Sequence, residues 1–176
     1  MTLTDLMPTL RRSIPDPLRA ASWPDHTEAT TTDVVIAGVS MLRLAELCAT
    51  PCVHTGERTI AARRAGGALR TDIAVVIARV VMVVTNADAD RVVLIDACLE
   101  GVEAVWSEMR LIGRASTAGD AGAILLDGNA EGSTPKPPHV ALPGDLRAGD
   151  LLLLPCVGTV SLHQVRPSVM RRVAGR

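Results

Sequence analysis

The chain has 176 residues, 48% of them hydrophobic, and its 18 Lys+Arg against 19 Asp+Glu leave a net charge of -1. That length suits one domain with its own core, and balanced charge without a basic block or stacking aromatics argues against nucleic-acid binding. The most apolar run, IAVVIARVVMVV (73–84), is too short to cross a bilayer and contains Arg79. No membrane span is expected, and MTLTDLMPTLRR shows no leader pattern, so the expected location is the cytoplasm.

The chain lacks Phe and Tyr and has two tryptophans, Trp23 and Trp106, so its core must be built from Val, Leu, Ile, Ala and Met. It contains a single lysine, Lys136, the other basic residues of these two types being arginine. Cys48, Cys52, Cys98 and Cys156 are irregularly spaced in apolar surroundings, which points to reduced, core-filling thiols.

Residues 1–32 are rich in Pro, Thr and Asp, with PDP at 15–17 and WPD at 23–25, and read as an extended arm. A single folded domain is expected over 33–176. DVVIAGV (33–39) has the β-branched content of a strand, Ser40 is placed to cap a helix over MLRLAELC (41–48), and TP at 50–51 ends it. RRAGGALR (63–70) reads as a connector. Strand patterns follow at TDIAVVIARVVMVVT (71–85), RVVLIDAC (91–98), GAILLD (122–127), DLLLLPCVGTVSL (150–162) and PSVMRRV (167–173), while GNAEGSTPKPPH (128–139) has the composition of a loop. Such a count of strands predicts a mainly β fold, a barrel or sandwich with one or two short helices.

Taken in order, WPDHT (23–27), IAGVSMLRLAELCATPCVHTGERTIAARRAG (36–66), RVVLIDACLEGV (91–102), LIGRASTAGD (111–120), LPGDLRAGDLLLLPCVGTV (142–160) and VRPSVMRRV (165–173) carry a likeness. They resemble the diaminopimelate decarboxylases and other fold-type III enzymes that use pyridoxal phosphate. Residues 33–62 are similar to that family's N-terminal segment and 70–176 to its C-terminal β-barrel domain. The resemblance implies that the intervening (β/α) barrel, which binds the cofactor, is missing.

Its chemistry is implied to be missing as well. The family places a cysteine and an acid where this chain has Ser116 and Thr117, retaining Gly113 and Asp120, and its "GAY" element corresponds to Gly158, Thr159 and Val160. The "YN" segment before VRP (165–167) is absent. Lys136, between two prolines, reads as a surface lysine and not a Schiff-base lysine. The expectation is a dismantled decarboxylase site with no cofactor, in which Asp120 persists by bonding its own turn.

Other chemistry is sparse. Ser116 with any of His26, His54, His139 and His163 lacks a nucleophile elbow, and Cys48, Cys52 and His54 lack further ligands at zinc-site spacing; no metal is expected. Asp96, at the end of an apolar strand, with Glu100 and Glu103 following it, forms the candidate acid group. Trp106, Ser116 and Asp120 are the candidate substrate contacts. A turn-capping aspartate beside a solvated helix face is the more common origin of this acidic pattern.

Two functions follow as expectations. One is a repurposed, cofactor-independent enzyme or binding protein for an apolar small molecule, such as a cyclase or isomerase of specialised metabolism. The other is a non-catalytic subunit that docks on and regulates a separate pyridoxal-phosphate barrel. In either case the face uncovered by the lost barrel is expected to form a homodimer.

Overall fold

The computed structural model describes residues 2–61, 68–86, 90–128 and 137–167. Residues 2–32, expected to be an extended arm, contain α1 (Leu3–Leu6), 3₁₀ turns at Pro8–Arg12 and Ala20–Ser22, and β1 (Thr27–Ala29). They form a strap across the domain, with Thr4, Arg11 and Trp23 buried. The stretch read as one strand over 33–39 is a hairpin of β2 (Val34–Ile36) and β3 (Val39–Ser40). Ala37 and Gly38 both have positive φ, the conformation a two-residue hairpin turn requires. Ser40 then accepts a hydrogen bond from the Arg43 amide and starts α2 (Met41–Cys48), as its sequence predicts.

The remaining elements are β4 (Cys52–Ala61), β5 (Ala68–Thr85), β6 (Arg91–Ile95), a 3₁₀ turn at Trp106–Glu108, β7 (Arg110–Ile112), β8 (Asp120–Leu126), β9 (His139–Pro143), β10 (Leu151–Val157) and α3 (Leu162–Val165). The fold is mainly β. Its large sheet runs β7-β10-β5-β6-β8-β9, with β4 also paired to β5, and β7 comes back near β9 so that the barrel is nearly closed. β1, β2 and β3 form a separate small sheet.

Long β5 explains how one strand serves two neighbourhoods. Its first half lies between β4 and β10, and its second half, after an irregularity between Val80 and Met82, pairs with β6. Ala74, Val76, Ala78 and Val80 point into the barrel with Val93, Ile95, Leu125, Leu152 and Leu154. Val75 and Ile77, with Leu151 and Leu153 of β10, instead pack against Trp23, Val34, Ile36 and Met41 outside it. Both faces are therefore buried, which is why IAVVIA and LLLL read as continuous apolar runs without polar alternation.

The strap also covers the edge of β4. The Asp25 amide donates to the Glu57 carbonyl, and the Thr59 amide donates to the Asp25 carboxylate. Gly56 is required where the strap crosses, because a Cβ there would lie 2.7 Å from the Cβ of Pro24. No helix among the described residues is long and apolar enough to cross a membrane. The expected strand at 167–173 and Lys136 fall almost wholly or wholly outside the described residues.

Candidate functional site

The two Gly-Asp stretches of the sequence meet in a single clamp. Gly113, at φ +89°, turns the chain out of β7 in a conformation that favours glycine. Arg114 then grips Asp150 with both carboxylate oxygens, at 2.9 and 2.7 Å, and reaches the Asp145 carboxylate at 3.0 Å and its carbonyl at 2.9 Å. Ser116 donates to Asp145 and accepts from the Ala118 amide at 3.1 Å. These bonds tie GRASTAGD to LPGDLRAGD across 29 to 36 residues.

The electrostatics favour the charged forms of Arg114 and Asp145. Hydrogen bonding to Asp150 raises the Arg114 guanidinium above its ordinary range, against the cost of desolvation. Desolvation alone would raise the Asp145 carboxyl, but the bonds from Ser116 and Arg114 together outweigh it and hold the group below the usual carboxylate range.

A second set of bonds fastens the strap beside this clamp. Buried Arg11 binds both oxygens of Asp120 at 3.0 and 2.9 Å, the Ala118 carbonyl at 3.1 Å and Asp16 at 3.2 Å. Desolvation of Arg11 is outweighed by Asp120 and Asp16, so its pKa is raised. Asp120 thus anchors the strap, and it is Ser116, not Asp120, that closes the local turn. Arg110 stacks over the Trp23 ring at 5.4 Å and donates to the carbonyls of Asp16 and Pro17. Buried Glu108 accepts from the Trp23 indole at 2.8 Å and from the Arg19 amide at 3.1 Å.

Arg11, Arg110 and Arg114 line a cleft of about 80 Å³ together with Asp16, Asp33, Ser116 and Asp120. Two of the three expected substrate contacts, Ser116 and Asp120, are therefore brought together. The third, Trp106, lies elsewhere, against the barrel core and a hollow of about 30 Å³ shared with Leu99, Leu125, Asp127 and Pro138. A larger surface hollow, about 360 Å³, is lined by residues of one strap segment, from Leu18 to Glu28, and includes none of the expected site residues.

The candidate acids are placed differently. Asp96 accepts from the Thr50 hydroxyl at 2.6 Å and from the Arg79 amide at 2.7 Å, while its own amide donates to the Arg79 carbonyl. It joins the end of β6 to β5 and to the loop after α2, which is the turn-capping role. Glu100 and Glu103 are exposed in the turn region that follows, and the Glu103 carbonyl accepts from the Val157 amide. Neither glutamate lines the Arg-bordered cleft.

Burial pushes the Cys52 thiol up to about 11 and the Cys156 thiol to about 12, which keeps both protonated in the core. Among the described residues no group of three or more His, Cys, Asp or Glu is placed to hold a metal ion. Ser116 is bonded to Asp145 and Ala118, not to a histidine. Burial also lowers the pKa of His54. Its neutral form is favoured in the folded chain, so its stabilising contribution is complete above the ordinary histidine pKa of about 6.5 and declines as pH falls below it. Thermal unfolding at pH 7.5 and 5.5 (approximate values bracketing that pKa) should show a drop on acidification that is reduced in His54→Gln; an unchanged drop would assign it to other groups.

Arg11, Arg110, Arg114, Asp145 and Asp150 were not among the residues singled out by sequence. The available signal was the arginine inside GRASTAGD and the two aspartates of LPGDLRAGD, three charges in stretches that carry the family likeness. No family model matches this chain, and a search of curated proteins finds no significant match.

Proposed function

We propose that this chain is a stand-alone β-barrel derived from the decarboxylase type, and that it works by association and not by turnover. The observation that carries this reading is an apolar, partly solvent-open strip on the outer face of the second half of the barrel. Met82 and Val84 of β5 lie in register with Leu94 and Val92 of β6, which are in turn in register with Leu126 and Ile124 of β8. Met82, Val84 and Leu126 are 46%, 40% and 40% exposed. β6 and β8 pair in parallel, an arrangement ordinarily covered on both faces, and an apolar face left open in this way suits an interaction surface.

The small-molecule reading has the Arg-bordered cleft behind it, but size counts against it. Its volume is about 80 Å³, whereas ligand sites run to about 300–1,000 Å³; the hollow of about 360 Å³ lies apart from it, lined by the strap segment from Leu18 to Glu28. The cleft's three guanidinium groups are also held in place by Asp16, Asp120, Asp145 and Asp150 or by backbone carbonyls. The barrel interior is lined by packed aliphatic side chains. The nominated Asp96 and Ser116 serve as fasteners within the fold.

The residues present do not fit pyridoxal phosphate. β4 and β5 pair directly over ten positions, Cys52↔Ile77 to Ala61↔Ala68, at the point where the resembled family inserts its cofactor-binding barrel. The single lysine stands between Pro135 and Pro137. The partner expected on this reading is a second copy, with a separate pyridoxal-phosphate barrel as the alternative. Titration with pyridoxal phosphate should give no stoichiometric imine band near about 420 nm. A band that disappears in Lys136→Ala would sink the reading of a barrel without cofactor chemistry.

A further inference from the structure

We propose that Cys48 and Cys52 form a reversible redox staple, a disulfide that ties the end of α2 to the start of β4 when the chain meets a thiol oxidant. The inference goes beyond the association reading and does not depend on it. The sequence points to four reduced, core-filling thiols, and three of them, Cys52, Cys98 and Cys156, are buried. Cys48 is the departure. It is exposed, and it stands at the opposite end of a short turn from buried Cys52.

The local fold brings the two cysteines into one neighbourhood. Met41, Ala45 and Cys48 recur at the spacing that shares one side of a helix, and Met41 and Ala45 are the buried residues of α2. Both belong to the apolar cluster that contains Cys52. Cys48 therefore lies on the side of α2 turned toward that cluster, at the last helical position, where this side runs out into solvent. The chain then turns back. Ala49 has φ +58° and ψ 171°, a conformation that residues other than glycine rarely adopt, and bends follow at Thr50 and Pro51. β4 starts at Cys52 and returns against α2. The middle of the turn is anchored from outside, because the Thr50 hydroxyl donates to Asp96, which also accepts from the Arg79 amide of β5. A turn fixed in this way leaves little loop-closure entropy to lose when its ends are joined.

Exposure assigns the two thiols different parts. Cys48 is open to an oxidant, and its thiolate is the first nucleophile. With a low-molecular-weight disulfide as oxidant, the Cys48 sulfur attacks one of its sulfurs, forms a mixed disulfide and releases the other half as a thiolate. Cys52 then gives up its proton and attacks the Cys48 sulfur, releasing the second half. The oxidant leaves as two thiols, having taken two electrons and two protons from the pair. Burial, and after it the nearby Cys48 and Asp96, push the Cys52 thiol up to about 11, so Cys52 serves as the resolving thiol and its attack is the slow step. The Cys48 part of that effect requires the two sulfurs to be neighbours in space. It vanishes once Cys48 is an uncharged mixed disulfide, which favours the second step. Cys156, by contrast, is packed inside the barrel among aliphatic side chains.

Titration of the folded, full chain in glutathione buffers, from fully reduced to fully oxidised, tests the proposal. Intact mass and peptide mapping should show Cys48 and Cys52 lost together as one intramolecular disulfide, which excess reduced glutathione reopens. Cys98 and Cys156 should remain thiols throughout. Hydrogen exchange in the last turn of α2 should slow at least about threefold in the oxidised chain, because the staple opposes fraying of that end. Cys48→Ser, at an exposed position, should abolish both effects. Cys52→Val keeps the buried position apolar and should stop oxidation at a mixed disulfide on Cys48. A mixed disulfide that persists on Cys48 of the wild type, a bridge between the Cys48 residues of two chains, or four intact thiols in the fully oxidised buffer would each overturn the proposal. A bridge that forms without slowing exchange in α2 would overturn its role as a staple.

Discussion

Arg114→Ala should destabilise the chain by about 3–5 kcal/mol, because removing the guanidinium leaves the buried Asp150 carboxylate with only the exposed Arg147 guanidinium, at 3.9 Å, as a charge partner. Asp150 has 7% of its side chain exposed and would retain the Arg147 amide as a hydrogen-bond donor. Arg114→Lys should recover part of the loss, since a lysine restores charge but cannot grip both oxygens in one plane. Urea unfolding gives the comparison, and a loss below about 1 kcal/mol for Arg114→Ala would show the clamp to be peripheral. Acid adds a second readout. The carboxyl of Asp145 is depressed in the folded chain, so its contribution is present above the ordinary carboxylate pKa of about 4 and is lost as pH falls through the lowered value. Arg114→Ala should reduce this acid dependence.

Trp23→Ala carries the other large effect, about 3–5 kcal/mol, through the cavity it leaves. Trp23 is 1% exposed at the junction of strap and sheet, and its loss also removes the indole donor from buried Glu108. Trp23→Phe preserves most of the bulk while removing the indole donor, so it should lose about 1–3 kcal/mol. Chemical denaturation of both variants checks the order. Equal losses would mean that the hydrogen bond to Glu108, and not the packed ring, holds the strap.

These residues also show where sequence reasoning succeeds. IAVVIA and LLLL could be read as buried strands because both of their faces are apolar, and the Ser40 cap of α2 could be read because its donor and acceptor lie three residues apart. β4 was missed because CVHTGERTIA mixes charge with a glycine, and the glycine is explained only when Pro24 is seen lying on it. The strap was read as an extended arm because prolines and threonines mask a covering role that depends on distant partners. Arg11 meets Asp120, 109 residues away, and Trp23 meets Glu108, 85 residues away. Asp96 was recognisable as a strand-ending acid. Its engagement with Thr50, 46 residues earlier, became visible only in three dimensions.

The same distances have a consequence for how the chain folds. Arg11, Arg19 and Trp23 are synthesised well before their partners, Asp120 lying 109 residues after Arg11, and Glu108 lying 89 residues after Arg19 and 85 after Trp23. The strap cannot secure itself until the β7–β8 region exists, so Val75, Ile77, Leu151 and Leu153 remain without their outer cover during assembly. Closing such long loops comes before their contacts stabilise anything, which slows folding. In that interval the most apolar strands of the protein are open to pairing with another nascent chain, making a chaperone-like holding factor most useful before the strap docks.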